Sequence, residues 1–275
     1  LTVPGPADRD RMLKAQKAMR LSLDRVLQQY LFFKIPVFRP ERLLDVLYPL
    51  FSFCFKPLFW QAVALLTLVA LWLVARQWDV FLATVPRFLG VNGILAYGAV
   101  IVASKAVHEL AHALALRHYG LRVPSIGVAI LMFMPLLYTD ASESWRAPSS
   151  RARMAIAGAG ILSELLLASL ATLGWLLADD GAMRDGFFVL ATTNCVSKVI
   201  FNMNPLMRFD GYILLSDALQ FENLQGRAFA QVRKLVAGKL FSLPVAGAET
   251  FPPAMTQFLV FFGVATFIYR ISVIT

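Results

Sequence analysis

The chain has 275 residues, of which 58% are hydrophobic and only 16% are charged, and its mean hydropathy is +0.64. This composition excludes an ordinary water-soluble domain, and two cysteines, Cys54 and Cys195, exclude a disulfide framework. The formal net charge is +9, and ten of the 26 Lys and Arg residues fall within the first 56 positions. Because the other cations flank apolar segments, the charge favours contact with a membrane surface over nucleic acid.

Residues 1–56 form a basic segment at the cytoplasmic face or membrane surface, distinct from the apolar remainder of the chain. Within it, residues 8–33 carry Asp8 as a candidate N-cap and leucines spaced among many cations, a pattern that predicts an amphipathic helix. This helix either lies on the membrane or packs on the rest of the protein as an ordinary cytosolic helix. A linker with Pro36 and Pro40 follows. The first twenty residues have no apolar core, so we expect no signal peptide there.

Five apolar runs in residues 57–275 are long enough to cross a bilayer core about 30 Å thick, which needs roughly 20 residues of helix. The runs are Phe59–Ala75, Gly90–Leu116, Met154–Ala178, Gly186–Met203 and Thr256–Ile274. No internal repeat divides them. We therefore predict one all-α domain over residues 57–275, a polytopic transmembrane helical bundle with about five spans.

A further run, Val123–Asp140, is long enough to cross but contains two prolines and a glycine. The N-terminal region has ten cations against five acids, whereas the loop 179–185 has three aspartates against one arginine. The positive-inside rule then places the N-terminus in the cytoplasm and this loop outside. A full crossing by Val123–Asp140 would put one group of arginines outside. A re-entrant or hairpin segment keeps them all cytoplasmic, and we favour it.

Two of the three histidines, His108 and His112, lie in the second apolar run with the spacing HExxH. Four residues advance a helix by about one turn, so both imidazoles face the same way and can share one zinc ion, with Glu109 close by as a general base. The alternative is a core position that joins two helices by hydrogen bonds. Three ionisable side chains inside a membrane span are costly and usually mark function, which favours the zinc site.

A catalytic zinc normally takes three protein ligands and keeps a fourth position for water, so one more ligand is needed. His118 lies six residues beyond the motif and points away from its zinc face in a continuous helix. Asp210 is the better candidate, because Pro205 interrupts the preceding helix and Gly211 allows a tight backbone. We predict one Zn²⁺ per chain, bound by the two motif histidines and Asp210.

An HExxH helix followed roughly a hundred residues later by Asn-x-x-Pro and Asp-Gly resembles the site-2 protease family of intramembrane zinc metalloproteases. A narrower resemblance is to its bacterial peptide zinc metalloprotease subgroup, some members of which carry or neighbour an export-type adaptor domain. The resemblance covers about residues 103–228. The matching segments are Tyr138–Asp140, Ser144–Arg146, Ala157–Leu165 and Asn204–Tyr212.

The resemblance implies roles for two residues of the second motif. The family aspartate is the third zinc ligand, which corresponds to Asp210, and the asparagine of Asn-x-x-Pro, here Asn202, helps to place the substrate strand. The alternative for Asn202 is a helix cap near Pro205. The resemblance also implies a bacterial plasma membrane. One departure is Arg208, where the family has a second proline; it alters the local loop and puts a cation beside the proposed ligand.

Two further carboxylates lie in or beside the apolar runs. Glu164 lies in the third run. It either accepts a hydrogen bond from a zinc-ligating imidazole and so orients that ligand, or pairs with Lys105 or Lys198. Asp140 either gates access to the site or holds Arg146, and the pairing is favoured because most intramembrane charges find a partner.

The leading hypothesis is a zinc endopeptidase that cleaves a membrane-embedded or membrane-delivered peptide. Glu109 takes a proton from the zinc-activated water and delivers it to the leaving amine. The alternative is a non-proteolytic zinc-containing component of a peptide processing or export assembly, against which the intact Glu109 argues. A zinc-transporting channel ranks third, because the sequence has no second ligand cluster. Expected partners are the peptide substrate, the lipid bilayer and an export-type adaptor, with no nucleic acid.

Overall fold

The computed structural model describes residues 32–88, 90–131, 134–198, 202–241, 249 and 251–274. The amphipathic helix predicted for residues 8–33 lies outside this range up to residue 31. The helices are α1 (Glu41–Phe51), α2 (Pro57–Arg76), α3 (Trp78–Thr84), α4 (Val91–His118), α5 (Ser150–Leu177), α6 (Ala182–Thr192), α7 (Asp210–Ala218), α8 (Leu224–Phe241) and α9 (Pro253–Ile274). The strands are β1 (Phe32–Phe38), β2 (Ile126–Leu131) and β3 (Met134–Thr139).

Four of the described helices are long and apolar enough to cross a membrane, as expected of an integral membrane protein. They cover Pro57–Arg76 in α2, Gly93–His118 in α4, Ser150–Leu177 in α5 and Pro253–Ser272 in α9. These segments coincide with the first, second, third and fifth apolar runs of the sequence. The predominantly helical, membrane-spanning architecture is therefore confirmed.

The fourth run, Gly186–Met203, differs from a regular span in the described residues. Helix α6 ends at Thr192, and Thr193–Lys198 forms a π-helical turn. The buried Asn194 donates from Nδ2 to the carbonyl of Leu190, 2.8 Å away, and to Oγ of Ser104 in α4, 3.0 Å away. Side-chain bonds of this kind compete with the regular α-helical pattern.

The ambiguous run Val123–Asp140 forms a hairpin, which was one form of the favoured prediction. Strands β2 and β3 are antiparallel, so the segment reverses direction. Strand β1, predicted as part of a linker, pairs with β2 along its other edge. Pro36 is tolerated because β1 is an edge strand, and its partner is Gly127, where a Cβ atom would lie 2.1 Å from the Ile35 carbonyl oxygen.

The second half of α4, which carries the HExxH motif, is buried. Residues 113–116 are buried against α5, with Leu44 of α1 and Ile156 of α5 in the same apolar cluster. The first half of α4 instead exposes Val91, Ile94 and Leu95, a surface suited to lipid. Packing against α5 thus positions the motif inside the helical bundle.

Candidate metal centre

The predicted metal ligands converge at one point between α4, α5 and α7. His108 and His112 are buried on α4, and Asp210 is the first residue of α7. Their nearest ligand atoms all lie within 4.8 Å of one another. Asp210 Oδ2 is 3.0 Å from His108 Nε2 and 3.4 Å from His112 Nε2, and the two Nε2 atoms are 3.0 Å apart. This group could hold a metal ion.

The outer nitrogen of His112 fixes the protonation of its ring. Its Nδ1 is 2.7 Å from the carbonyl oxygen of Ile156 in α5. A carbonyl only accepts hydrogen bonds, so Nδ1 carries a proton and Nε2 is the ring nitrogen turned toward His108 and Asp210. A hydrogen bond of this kind orients a metal-binding imidazole and makes it a better ligand.

The outer nitrogen of His108 contacts a carboxylate. His108 Nδ1 is 2.6 Å from Oε1 of Glu164, and both side chains are 1% exposed. Asn202 donates from its amide nitrogen to both Glu164 oxygens, at 3.3 and 3.2 Å. Glu164 thus lies beside the outer nitrogen of His108, while the alternative partner Lys105 pairs with Glu109, and the orienting role of Glu164 stays a prediction. A chain of asparagine, carboxylate and imidazole therefore leads to the metal site.

Two glycines allow the close approaches that the centre needs. A Cβ atom on Gly160 of α5 would lie 2.3 Å from Cε1 and 2.5 Å from Nε2 of His108. A Cβ atom on Gly211 would lie 2.4 Å from the carbonyl carbon of Met203, so this position must also be a glycine for Asp210 to reach its place. The tight backbone predicted at Gly211 is present.

The charge state of Asp210 suits a metal ligand. Burial opposes ionisation and would raise the pKa of its carboxyl group, but the neighbouring His108 and His112 imidazoles outweigh burial and hold this pKa well below its usual range. Asp210 is therefore a carboxylate. Two imidazole nitrogens with one carboxylate oxygen form a donor set suited to Zn²⁺, which would replace the protons shared among these groups.

Glu109 lies beside the ligands, but its carboxylate is held by other groups. Oε1 is 2.7 Å from the Lys105 ammonium one turn earlier on α4. Oε2 accepts a hydrogen bond of 2.7 Å from the backbone N–H of Thr139, at the end of β3, and the Thr139 hydroxyl donates to the Glu109 carbonyl oxygen at 2.8 Å. The hairpin is thus fastened to the HExxH helix at the predicted base.

Other candidate residues lie away from the centre. His118 stacks on Phe55 with ring centroids 4.2 Å apart and has its Nδ1 3.0 Å from the Tyr48 hydroxyl, as expected of a residue that does not bind the metal. Asp140 accepts the N–H of Ser142 at 3.0 Å, and Arg146 pairs instead with Glu143. The predicted pairing of Asp140 with Arg146 is therefore absent from the described part of the chain.

Arg208, which stands where the family has a second proline, forms a hydrogen bond with Gln225. Its Nε donates to the side-chain oxygen of Gln225 at 2.9 Å. Gln225 is 1% exposed, and its amide nitrogen donates to the carbonyl of Leu206 at 3.0 Å. Its backbone N–H donates to the Tyr212 hydroxyl at 3.2 Å. Gln225 therefore forms hydrogen bonds with residues before and after Asp210 and stabilises the chain on both sides of it.

Several residues that shape the centre were not assigned these roles from the sequence. They are Thr139, Ile156, Gly160 and Gln225. Three of them act through a backbone group or the lack of a side chain, which leaves no recognisable motif. Gln225 acts through its side chain, but it stands between Asn223 and Arg227, so a polar residue there is not conspicuous in the sequence.

Comparison with known proteins gives little further guidance. No family model matches the chain. An uncharacterized protein of Methanocaldococcus jannaschii is 31% identical over 78 residues, which is 28% of this chain and 20% of that protein. The match thus spans about a fifth of the relative's length. No solved structure matches significantly.

Proposed function

We propose that the protein is an intramembrane zinc endopeptidase of the site-2 protease type. The observation that carries this proposal is the convergence of His108, His112 and Asp210, with their ligand atoms within 4.8 Å, beside Glu109 of the same HExxH motif. The substrate is a membrane-embedded or membrane-delivered peptide. The proposed location is a bacterial plasma membrane, with the N-terminus in the cytoplasm.

In this proposal, zinc is held by the two histidines and Asp210 and, when bound, supplies a Lewis acid that polarises the scissile carbonyl and activates water. Glu109 accepts the proton of the attacking water and passes it to the leaving amine. Lys105 and the Thr139 N–H keep the Glu109 carboxylate oriented. Burial of the ligands separates the reaction from bulk water.

Asn202 is positioned for a contact with the substrate backbone. Its amide nitrogen is engaged with Glu164, and its side-chain oxygen forms no hydrogen bond with the described residues. That oxygen can accept an N–H from a substrate strand, while Glu164 orients His108. The substrate-placing role implied by the family resemblance is therefore compatible with the contacts of Asn202.

One observation favours the non-proteolytic alternative, a zinc-containing component of a peptide processing or export assembly that works with an export-type adaptor. Both oxygens of Glu109 already have partners, Lys105 and Thr139. A base with this environment must exchange at least one partner before it can take a proton from water. A structural zinc site makes no such demand.

The test is the zinc content per chain of detergent-purified protein, compared with three variants. We expect about one zinc in the wild type and in Glu109→Gln, and far less in Asp210→Ala, because only the last removes a ligand. Asp217→Ala is the matched control on α7, since Asp217 lies near the other end of this helix, where it pairs with Arg153. Folded wild-type protein that takes up no zinc after reconstitution would overturn both candidate functions.

A second measurement separates the two candidates. Peptide hydrolysis or the cellular output of the protein is compared between the wild type and Glu109→Gln at equal zinc content. The endopeptidase requires the base. The rate of peptide hydrolysis by the variant should therefore fall by about 10²–10⁴-fold, the contribution typical of general acid and base catalysis. Unchanged output with zinc retained would favour the assembly component.

A further inference from the structure

Two arginines from different parts of the chain share one neutral partner. Arg208 precedes α7, and Arg270 lies near the end of α9. The Arg208 Nε and the Arg270 Nη2 both donate to the side-chain oxygen of Gln225, at 2.9 and 3.0 Å. Two guanidinium groups are therefore brought together around a single amide oxygen.

The charges of this pair are not neutralised within the described chain. No described carboxylate forms an ion pair with Arg208 or Arg270, in contrast to several other arginines, namely Arg117, Arg146, Arg153, Arg184 and Arg227. Uncompensated charge in a membrane protein is costly and commonly marks a binding site. Arginine also presents a fork of donors suited to the oxygens of a phosphate group.

A cavity adjoins Arg208. It has a volume of ≈ 290 Å³ and is lined by Arg208, Tyr212, Ile213, Ser216, Asp217 and Asn223. The one carboxylate in this lining, Asp217, is already paired with Arg153 at 2.8 Å. A bound anion would therefore meet Arg208 without competing directly with an unpaired acid.

Two span ends place the arginine pair near the membrane surface. The Ser150 hydroxyl, at the first residue of the α5 span, donates to the carbonyl of Asp217 in the cavity wall at 2.9 Å. Arg270 lies two residues before the end of the α9 span at Ser272. Residues at span ends lie close to lipid headgroups, where long basic side chains reach phosphate.

Exposed apolar side chains flank both arginines along the chain. Phe209 and Ile213 are 37% and 45% exposed beside Arg208, and Phe267 and Ile268 are each 60% exposed beside Arg270. Soluble phosphate gains nothing from such neighbours. A lipid gains from both parts of the surface, because its acyl chains cover the apolar side chains while its phosphate meets the guanidinium groups.

We propose that Arg208 and Arg270, held together by Gln225, bind the phosphate of an anionic lipid headgroup. The shared ligand chemistry is a phosphate oxyanion, and the exposed apolar neighbours select a lipid over free phosphate. The bound lipid contacts the segment that leads directly into Asp210. This inference does not depend on peptide hydrolysis, so it stands or falls separately from the proposed function.

The experiment titrates detergent-purified protein with phosphatidylglycerol or phosphatidylcholine and counts bound lipids by native mass spectrometry. We expect one phosphatidylglycerol to bind more tightly than phosphatidylcholine. Arg208→Gln and Arg270→Gln should each weaken this binding about fivefold, the effect of removing one cation near an anionic headgroup. Arg227→Gln is the control, because Arg227 pairs with Glu249, and it should leave the affinity unchanged.

A nearly isosteric variant tests the same site with the fold retained. Gln225→Glu places a carboxylate between the two guanidinium groups, so an internal ion pair should displace the lipid. Phosphatidylglycerol binding should then fall to the level of phosphatidylcholine, with the gel-filtration profile unchanged. Wild-type lipid affinity in this variant would overturn the proposal.

A third arm distinguishes the two sources of phosphate. Equilibrium dialysis of the wild type with radiolabelled inorganic phosphate should show no stoichiometric binding at 1 mM, a concentration about that of a weak ligand. Binding of one phosphate per chain, lost in Arg208→Gln and Arg270→Gln, would assign the site to a soluble anion and overturn the lipid assignment.

Discussion

A single methyl group at position 160 would collide with the imidazole of His108, because a Cβ atom there lies 2.3 Å from Cε1. Gly160→Ala should therefore displace the ring or push α5 away from α4. Overpacking of this kind costs about 1–3 kcal/mol, which corresponds to roughly a tenfold to hundredfold loss of zinc affinity when the ligand is the group displaced. The measurement is zinc competition against a chelating dye.

Gly158 provides a matched control on the same helix. Its nearest neighbour for an added Cβ atom is the Leu214 side chain at 3.7 Å, an ordinary contact. Gly158→Ala should retain wild-type zinc affinity and lose no stability, because alanine is the better helix former. Equal zinc affinity in both variants would show that Gly160 does not set the position of His108.

The carboxylate of Glu164 supports the same imidazole from the other side. Glu164→Gln removes the negative charge 2.6 Å from His108 Nδ1 while keeping the shape of the side chain. Changes to such outer partners typically reduce metal affinity by about 10–100-fold. Ser163→Ala, which removes only a local bond to the Gly160 carbonyl, is the control. Unchanged zinc affinity in Glu164→Gln would assign the carboxylate to helix packing with Asn202.

At the level of secondary structure elements, the hairpin is fastened to the HExxH helix through one residue, Thr139. Thr139→Pro removes both the N–H that binds the Glu109 carboxylate and the hydroxyl that donates to the Glu109 carbonyl oxygen, at the end of an edge strand where proline is tolerated. Loss of the bond to the charged group alone should lower the free energy of unfolding by about 1.5–3 kcal/mol, and loss of the hydroxyl bond adds to this change. Unfolding in mixed micelles with increasing denaturing detergent measures this change.

Thr139→Val separates the two bonds that this residue makes. It keeps the N–H and removes only the hydroxyl bond to the Glu109 carbonyl oxygen, so we expect a smaller loss of about 0.5–1.5 kcal/mol. Zinc content should stay at the wild-type level in both variants, since neither touches a ligand. The interpretation fails if valine and proline destabilise the protein equally.

The elements that the sequence predicts well are those determined by local patterns. Four of the apolar runs form long helices. The prolines and glycine of Val123–Asp140 indicated that this run is not a continuous helix, and in the structure it forms a hairpin. Strand β1 was not predicted, because seven residues with an internal proline become a strand only through pairing with β2. The π turn after Thr192 was also not predicted, because it depends on Asn194 reaching Ser104 of another helix.

At the scale of the whole molecule, the candidate site likewise combines features that local sequence patterns predict with features that depend on distant contacts. The relation of His108 to His112 follows from helix geometry alone, and the family motif pointed to Asp210 from nearly a hundred residues away. The contacts that hold the site join residues 30 to 56 positions apart, such as Thr139 with Glu109, His112 with Ile156 and His108 with Glu164. Nothing in one sequence records which backbone group will meet a given side chain.

Helix α5 provides a test of the topology of the chain. Its 28 residues rise about 42 Å, more than the roughly 30 Å of the bilayer core, so the segments at its two ends belong on opposite sides. Ser142 and Asp179 are exposed positions before and after it. With Cys54 and Cys195 replaced, Ser142→Cys should react with a membrane-impermeant maleimide only from the cytoplasm, and Asp179→Cys only from the opposite side.

The hairpin predicts a third labelling result, because its strands reverse direction between α4 and α5. Exposed Arg122 precedes the hairpin and Ser142 follows it, so Arg122→Cys should be labelled from the same side as Ser142→Cys. This arrangement also keeps the arginines before and after the hairpin on one side of the membrane, which the positive-inside rule predicts to be the cytoplasmic side. Labelling of Arg122→Cys and Ser142→Cys from opposite sides would mean that residues 123–140 cross the bilayer, and the position of the hairpin beside Glu109 would then be wrong.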